Sequence, residues 1–530
     1  MPTIIKRHCY DFNIMHSKYS CDNTKREFRP FGLLERVFSA MIVRIMSEKN
    51  FFTRWWSQPA GCREVLKIAV PMIISAGAWA IMNFADRVML TWYSENAAAL
   101  LTESGSAAES TVGAATAAGA AAGSLFFIIT ALPFGIVTLV NSFVAQYYGA
   151  GKHKHIGPIV WQGIFFGMAI FPLYLLAKPL FVELFVRLGH SPLLVMLEER
   201  YLHYALFAIG AQLAGEAIAA FFIGRGKTQT IMVVNVCVVL LNIVLNYVMI
   251  FGKYGFPEMG IGGASLATTI CMWLRFFALF GLMFYANGKR DVYGLISGCR
   301  FDVPLFRRLM RFGLPSGLEF FLEHVSFGTF VLLMGKISDQ AMAATSIAFS
   351  LNGLSFLPLI GMGIAVTSMV GRYLGENRAD LAQRATLTAL VLGTVTNGFF
   401  VILYVFFPDL LLYTFLKFGD PVEFAPLRDM TVMILRFIAI YLLFDGINII
   451  FMSTIKGAGD TMYLFFVTLV MAPLLPGACF LAMALGYGLF ACWLIFTIWV
   501  CVFAACFCVR FFRGHWKTKR VIETDLSQTV

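Results

Sequence analysis

The stretch "PSGLEFFLEHVSFGTFVLLM", Pro315 to Met334, is an apolar run that carries two carboxylates and a histidine where a bilayer helix usually carries leucine or valine. A run of about twenty apolar residues is long enough to cross a bilayer as a helix. An ionised carboxylate at the bilayer centre costs about 2.5–3.5 kcal/mol on insertion scales. Glu319 and Glu323 lie one helical turn apart, so both lie on one face of this helix and must find a polar interior there.

The composition of the whole chain agrees with a membrane protein. Its 530 residues are 59% hydrophobic and 13% charged, with a mean hydropathy of +0.76, whereas soluble domains are roughly 45–50% apolar. Apolar runs of spanning length follow one another from Val65 to Val509 and predict an all-α polytopic protein of the lipid bilayer. The net charge is +11, and the Lys and Arg residues lie mainly in loops and tails. This distribution is typical of residues that set the orientation of a membrane protein, so it does not indicate nucleic-acid binding. The eleven cysteines form no CxxC pair or Cys/His cluster, so neither a disulfide framework nor structural zinc is predicted.

The apolar pattern predicts twelve transmembrane helices, and the loops between them alternate in basic charge. The connection from Ser94 to Thr111 contains no Lys or Arg, whereas the next connection contains Lys152 and Lys154. Because basic loops stay in the cytoplasm, both termini are predicted to be cytoplasmic, which requires an even number of spans. The predicted spans are 65–92, 112–147, 158–187, 197–223, 229–252, 261–286, 304–335, 342–373, 384–416, 430–455, 462–485 and 487–510.

The two halves of the chain repeat one another. The sequence from Lys67 to Pro71 recurs 244 residues later, and the motif that begins at Tyr147 recurs 226 residues later. An even number of spans per half gives both halves the same orientation, with the symmetry axis along the membrane normal and the site in the cleft between lobes. The predicted organisation is an N-terminal arm at 1–64, a first lobe at 65–286, a linker at 287–303, a second lobe at 304–510 and a basic cytoplasmic tail at 511–530.

Two segments lie outside this repeat. The N-terminal arm is polar, basic and aperiodic, which predicts partial disorder or, alternatively, a native start at Met41 or Met46. The small-residue run from Thr102 to Gly123 contains the extra residues of the first half, and its sequence suggests no role for it.

These motifs together resemble the multidrug and toxin extrusion (MATE) family. The resemblance rests on "ALPFGIVTLVNSFVAQYYGAGKH" in the second span, "GLPSGLEFFLEHVSF" in the seventh and "YLLFDGINIIFMSTIKGAGDT" in the tenth. The Asn-x3-Asn spacing of the fifth span is most similar to the NorM-like branch. The resemblance covers roughly residues 60–510 and implies two pseudo-symmetric lobes of six helices each.

The resemblance also implies which residues carry the function. Glu323 and Asp445 match the acids that bind the coupling cation in the second lobe, and Asp86 matches the acid of the first lobe. Two carboxylates form a hard-oxygen site that suits Na⁺ and is tolerated in a membrane when a cation or proton lies between them. The matching residues expected to complete a cation or substrate shell around Asp86 are Asn242, Asn246 and Thr268.

Several of these residues have a simpler reading. Glu323 and Asp445 can each remain protonated and hydrogen-bonded in the helix bundle. The two asparagines can join neighbouring helices, at about 0.6 kcal/mol each. Glu319 is expected either to add an oxygen to the cavity or to be a solvated charge at the rim. His324 is expected to be a packed, neutral imidazole. Arg87 follows Asp86 and needs a partner, for which Glu216 in the fourth span is a candidate.

We therefore expect a secondary active antiporter, not an enzyme, that exports organic cations by alternating access. Its coupling ion is expected to be Na⁺ rather than H⁺, because Asn246 stands where a proton relay of the related branch has a second acid. No other cofactor is expected, and the protein is expected to be a monomer in the cell (inner) membrane. Two alternatives remain open. A flippase for a lipid-linked precursor requires a cationic cavity, and an intramembrane enzyme lacks support because no HExxH or GxSxG motif is present.

Overall fold

The computed structural model describes residues 55–103, 114–416 and 421–523. The hypotheses on the N-terminal arm up to residue 54, on residues 104–113 of the small-residue run and on the last seven residues of the tail fall outside the described residues.

Within these ranges every regular element is helical, and twelve helical stretches are long and apolar enough to cross a membrane. The all-α fold with twelve spans is therefore confirmed. In order, the spans are Cys62–Glu103, Ala114–Thr138 continued by Val140–Gly149, Ile156–Leu176, Pro192–Ile223, Thr228–Phe251, Ile261–Asn287, Val303–Ile337, Asp339–Gly375, Ala379–Phe406, Pro421–Ala458, Thr461–Ala484 and Leu489–Arg513.

Besides the second span, the third and the ninth predicted spans each divide into a long helix and a short one. The third prediction, 158–187, covers Ile156–Leu176 and the separate helix Lys178–Arg187, and the ninth, 384–416, covers Ala379–Phe406 and Pro408–Leu416. Both short helices have a proline in their first turn, where the ring fits and the missing N–H costs no hydrogen bond. Apolarity continues across both breaks, so hydropathy alone does not reveal them. The breaks occur after the third span of each half and so follow the repeat.

The helices of the two halves pack in the same order. In the first half, the first span packs on the fifth, the second on the fourth, and the fourth on the sixth. In the second half, the seventh span packs on the eleventh, the eighth on the tenth, and the tenth on the twelfth. These pairs are equivalent under a shift of six spans, so the structure contains two bundles of the same design.

The main contacts between the two bundles also form a symmetric pair. The second span packs on the seventh, and the eighth packs on the first. Glycines allow both approaches: a Cβ atom on Gly135 would lie 2.8 Å from the Cα of Gly317, and one on Gly361 would lie 2.8 Å from the backbone N of Ile73. Any larger side chain at Gly135 or Gly361 would push the bundles apart.

One end of the spans carries the basic connections, and we call it the basic end. Here two hydrogen bonds join the bundles: Ser142 Oγ donates to the carbonyl oxygen of Lys456 at 3.0 Å, and Ser368 Oγ donates to that of Ile223 at 2.7 Å. Ser368 follows Ser142 by 226 residues and Lys456 follows Ile223 by 233, the offsets of the repeat motifs at these places. The two bonds are therefore equivalent, and the bundles are closed against each other at the basic end.

The tail was predicted only to be basic and cytoplasmic, but its first part packs across the basic end. Trp516 is fully buried and stacks on Phe511 with ring centroids 5.4 Å apart. Val521 and Ile522 are buried, and the backbone N–H of Val521 donates to Oε1 of Gln146 at 2.9 Å. The described part of the tail thus packs on the end of the second span at the basic end.

The linker between the halves is held against the third span. The Nε1–H of Trp161 donates to the carbonyl oxygen of Leu295 at 2.8 Å, and the backbone N–H of Gly157 donates to that of Tyr293 at 2.7 Å. Asp291 organises the linker itself by accepting hydrogen bonds from Asn287 Nδ2, the Ile296 N–H, and the N–H and hydroxyl of Ser297. Burial alone would raise the pKa of Asp291, but these hydrogen bonds outweigh it and hold the pKa well below its usual range.

We expect Asp291→Ala to loosen the linker, because it removes both acceptor oxygens at a residue with φ of 47° that alanine adopts poorly. Because the folded-state pKa is lowered, the stabilisation is present above the unfolded-state pKa of about 3.9 and is lost as pH falls toward the folded-state value. Hydrogen exchange of residues 291–298 is expected to be several-fold faster in the variant at pH 7, with the difference shrinking below about pH 4. Asp291→Asn, which keeps one acceptor, is the control and should exchange at an intermediate rate. Equal exchange in all three proteins at pH 7 would contradict this role.

Candidate functional site

Four residues singled out in the first half form one chain of hydrogen bonds across three helices. Nδ2 of Asn246 donates to Oδ1 of Asp86 and, at 3.0 Å, to Oδ1 of Asn242. Nδ2 of Asn242 in turn donates to Oγ1 of Thr268 at 3.3 Å. The first, fifth and sixth spans each contribute to this chain, which places the predicted first-half residues together.

The helix geometry explains this arrangement. Asn242 and Asn246 are four residues apart, so their side chains lie on one face of the fifth span, and that span packs on the first. Both asparagines are fully buried, whereas Asp86 and Thr268 are half-buried. Oδ1 of Asn246 has no hydrogen-bond partner among the described residues. It is therefore an acceptor oxygen beside the Asp86 carboxylate.

The hypothesis that Glu216 is the partner of Arg87 is wrong. Oε2 of Glu216 pairs instead with NH2 of Arg275 in the sixth span at 3.1 Å. Arg275 also donates from Nε to Oδ1 of Asn235 at 2.9 Å, and Asn235 donates to Ser75 Oγ. Arg87 is exposed on the first span. Among the described residues, Asp86 has no hydrogen bond to this second polar network of the first half.

In the second half, Glu319 is buried and ion-paired. Its Oε2 lies 3.1 Å from Nζ of Lys456 in the tenth span, and the two side chains are 1% and 15% exposed. This geometry excludes the reading of Glu319 as a solvated charge at the rim. The ammonium of Lys456 also neutralises Glu319, so Glu319 is less suited to supply an oxygen to a bound cation.

The two acids expected to bind the coupling cation come from the helices that this ion pair joins. Glu323 is one turn beyond Glu319 on the seventh span, is half-buried, and lies within electrostatic range of Glu319, Lys456 and Asp445. Asp445 is buried on the tenth span beside Asn448. Neither Glu323 nor Asp445 forms an ion pair with another described residue. Glu323 and Asp445 are therefore carboxyl groups that no described basic side chain neutralises directly.

His324 is packed as expected for a neutral imidazole. Its Nδ1 lies 2.6 Å from the carbonyl oxygen of Phe320, which requires a proton on Nδ1. Its ring makes an edge contact with Phe127 of the second span at 5.0 Å between centroids. Aromatic rings thus cover this side of the seventh span, where it packs on the other bundle.

The geometry gives each half a set of oxygen ligands of its own. The first half has one carboxylate with amide and hydroxyl groups, and the second has two carboxylates without a dedicated basic partner. No group of three or more His, Cys, Asp or Glu side chains in the described ranges has the arrangement of a metal centre. Such a pair of sites suits a weakly held monovalent cation or a proton better than a tightly bound divalent metal.

Sequence reasoning missed two basic residues inside the bundles. Lys456 was placed one residue beyond the predicted tenth span, although the helix continues to Ala458. Arg275 lies in the middle of the sixth span, where its charge in an apolar run was the available signal. Both basic residues neutralise a glutamate and so reduce the number of acids that are free to bind a guest.

Comparison with known families matches this architecture. The MatE family model matches residues 108–248 and 315–481, which is one stretch in each half of the chain. The matched stretches contain Asn242 and Asn246 but not Asp86 or Thr268, and they contain both Glu323 and Asp445.

Two curated relatives have a similar length and sequence. The chain is 29% identical over 455 residues to a probable multidrug resistance protein NorM of Bradyrhizobium diazoefficiens, covering 84% of this chain and 92% of that protein. It is 27% identical over 414 residues to the multidrug resistance protein MdtK of Proteus mirabilis, covering 77% of this chain and 84% of that protein.

Solved structures share the fold. An outward-facing multidrug resistance MATE family transporter of the MOP superfamily superposes with a TM-score of 0.73 at 19% identity, covering 88% of this chain and 98% of that chain. A eukaryotic MATE transporter, AtDTX14, superposes with a TM-score of 0.70 at 19% identity, covering 86% of this chain and 96% of that chain.

We expect Asn246→Leu to lower the free energy of unfolding by about 1–3 kcal/mol, because the buried side of Asp86 loses its donor. The control is Thr268→Val, which removes only the 3.3 Å hydrogen bond at the far end of the chain and should cost about 0.5–1.5 kcal/mol. Denaturant titration of the purified protein in mixed micelles measures both. A smaller loss for Asn246→Leu than for Thr268→Val would show that Asp86 does not depend on Asn246.

Proposed function

The chain belongs to the MatE family, and on that premise we propose that it is a secondary active transporter that exports organic cations in exchange for an external cation. The multidrug resistance names of the NorM and MdtK relatives support export of drug-like compounds. Its transport role also supports the view that the protein is not an enzyme. The observation that carries the proposal is that Glu323 and Asp445, on the two helices that the Glu319–Lys456 ion pair joins, have no ion-pair partner among the described residues.

The exchange rests on competition for these carboxylates. A negative site in an apolar bundle is stable when one positive charge occupies it, so arrival of the coupling ion favours departure of the organic cation, and the reverse. Glu323 is half-buried and is the more accessible of the two acids, whereas Asp445 is buried. The organic cation would add contacts with aromatic faces such as Phe127, which is 47% exposed.

The ion gradient sets how steep an export gradient can be. A tenfold ion gradient corresponds to about 1.4 kcal/mol, and 100 mV adds about 2.3 kcal/mol per charge moved. For a one-for-one exchange of monovalent cations the voltage contribution cancels, and the export gradient is limited to about tenfold. A neutral substrate would gain both contributions.

We propose alternating access between the two bundles as the movement. The bundles are joined at the basic end by Ser142 and Ser368, and by the positive-inside rule this end faces the cytoplasm, with both termini on the same side. The structure then represents a state closed to the cytoplasm. Opening toward the cytoplasm requires these two equivalent hydrogen bonds to break together, which suits two lobes, 65–286 and 304–510, that rock about the cleft.

We propose Na⁺ rather than H⁺ as the coupling ion. Asn246 donates to Asp86 and cannot release a proton in exchange, so the first-half chain is not a relay between two acids. Amide, hydroxyl and carboxylate oxygens are ligands that suit a hard cation. By analogy with the bacterial relatives, we propose that the monomer lies in the cell (inner) membrane as a multi-pass protein.

We expect Glu323→Gln and Asp445→Asn each to reduce gradient-driven transport at least tenfold, because neutralisation removes the charge for which the ions compete. The measurement is uptake of a fluorescent organic cation into proteoliposomes of purified protein under an imposed Na⁺ gradient. Asp429→Asn is the matched control: it neutralises an acid of the same helix that is 78% exposed, and should leave transport unchanged. Full transport by both acid variants would show that the second-half site is wrongly assigned.

The coupling ion is tested by varying the gradients separately. We expect a difference in Na⁺ concentration across the membrane, at constant pH, to drive exchange by the wild-type protein. A pH difference in the absence of Na⁺ is expected to drive less exchange. Transport driven equally by pH alone would overturn the preference for Na⁺. Indifference to both gradients would overturn the antiporter proposal.

A further inference from the structure

Lys456 forms an ion pair with Glu319 of the seventh span through its side chain and contacts the other bundle through its backbone. We infer that Lys456 is a positioning residue that links occupancy of the Glu323 and Asp445 site to the contact between the bundles at the basic end. This inference rests on the proposed exchange function and adds a residue to it. Three observations support it.

The first observation is the ion pair with Glu319. Nζ of Lys456 lies 3.1 Å from Oε2 of Glu319, and the glutamate is almost completely buried. A charged pair this deep cannot exchange one partner for water without a large desolvation penalty. Glu323 is one turn along the same helix and within electrostatic range of the ammonium. The ammonium is therefore paired with one acid and is within electrostatic range of another that a mobile cation is proposed to occupy.

The second observation is the position of the Lys456 backbone. Its carbonyl oxygen accepts from Ser142 Oγ at 3.0 Å, and the next two carbonyl oxygens, of Gly457 and Ala458, accept from Nε2 of Gln146 at 3.0 and 3.3 Å. Ser142 and Gln146 belong to the second span, in the first bundle. The last turn of the tenth span is thus fixed to the second bundle by a side chain and to the first bundle by its backbone.

The third observation is that the repeat does not require these charges. The equivalent bond from Ser368 ends on Ile223, which has no charge, and the position 244 residues before Glu319 is Ser75. Ser75 accepts a hydrogen bond from Asn235 rather than an ion pair. The same contact between bundles therefore forms without a Glu–Lys pair, and the pair is a feature of the half that has two free acids.

Electrostatics gives the direction of the effect. A cation held by Glu323 and Asp445 repels the Lys456 ammonium and strengthens its contact with Glu319, which keeps the last turn of the tenth span in place under Ser142. When the cation leaves, the ammonium is shared between Glu319 and Glu323, and the last turn is drawn along the tenth span away from Ser142. The contact at the basic end is therefore firm when the coupling ion is bound and looser when it is absent.

The test uses the double variant Glu319→Gln/Lys456→Met, which removes both charges together and avoids leaving either one buried alone. Its control is Lys178→Met/Glu199→Gln, which neutralises a more exposed Lys–Glu pair of the first half, whose Nζ and Oε1 atoms are 2.9 Å apart. Thermal unfolding and gel filtration establish that each variant is folded. Two readouts follow: Na⁺-driven exchange in proteoliposomes, and hydrogen exchange of segments 140–149 and 454–460 with and without Na⁺.

We expect Na⁺ to slow hydrogen exchange in both segments of the wild type and of the control at least threefold. In the Glu319→Gln/Lys456→Met variant we expect this Na⁺ effect to vanish and transport to fall at least tenfold although the protein is folded. The charge-swapped variant Glu319→Lys/Lys456→Glu keeps a pair and should still be impaired, because the ammonium is then fixed on the seventh span beside Glu323.

A purely structural pair predicts the opposite, namely full transport and an intact Na⁺ effect in the folded charge-swapped variant, and that result would overturn the inference. Retention of both properties by the folded neutral variant would overturn it as well. In either case wild-type exchange would continue, so the proposed transport function would stand. Absence of Na⁺- or pH-driven exchange in the wild type would overturn the function, and with it the inference.

Discussion

A charge in an apolar helix bundle must be balanced by an opposite charge, by hydrogen bonds or by a guest ion, and this constraint organises the interior of the protein. Arg275 balances Glu216, and Lys456 balances Glu319. Asp86 has a hydrogen bond from Asn246, whereas Glu323 and Asp445 have no ion-pair partner among the described residues. The acids left over after internal pairing are those that we propose an exchanged cation occupies. The proposed function therefore rests on the carboxylates that no other side chain of the fold neutralises.

In the proposed mechanism, the repeated architecture converts local binding into a movement of whole bundles. The same helix pairs pack within each half. The contact of the second span with the seventh is equivalent, under the repeat, to the contact of the eighth span with the first. At the basic end, Ser142 and Ser368 each donate to a carbonyl oxygen of the opposite bundle. Equivalent contacts form and break together when two similar bodies rotate against each other. The tail segment around Val521 adds a contact outside the repeat, at Gln146, so the basic end is not wholly symmetric.

Much of this organisation follows from sequence pattern, because hydropathy, loop charge and the repeat offsets report on whole helices. The residues of the first-half chain were also predictable, since Asn242 and Asn246 have helical spacing and unusual polarity. Their order of hydrogen bonding was not, because it depends on the rotation of three helices. Lys456 was missed because apolar periodicity ends before the helix does. The sequence did not predict the packing of Trp516 and Val521, because this basic segment has too few apolar residues to show an apolar periodicity. Lobe boundaries and site roles remain predictions.

Direct binding tests the central claim, that the free acids of the second half exchange one cation for another. Equilibrium dialysis of labelled tetraphenylphosphonium with purified protein, titrated with NaCl at constant ionic strength, measures the competition without transport. We predict that Na⁺ displaces the organic cation from the wild-type protein. In the Glu323→Gln/Asp445→Asn double variant, the affinity for the organic cation should fall at least tenfold and Na⁺ should no longer displace it. Equal affinity and equal displacement in the double variant would contradict it.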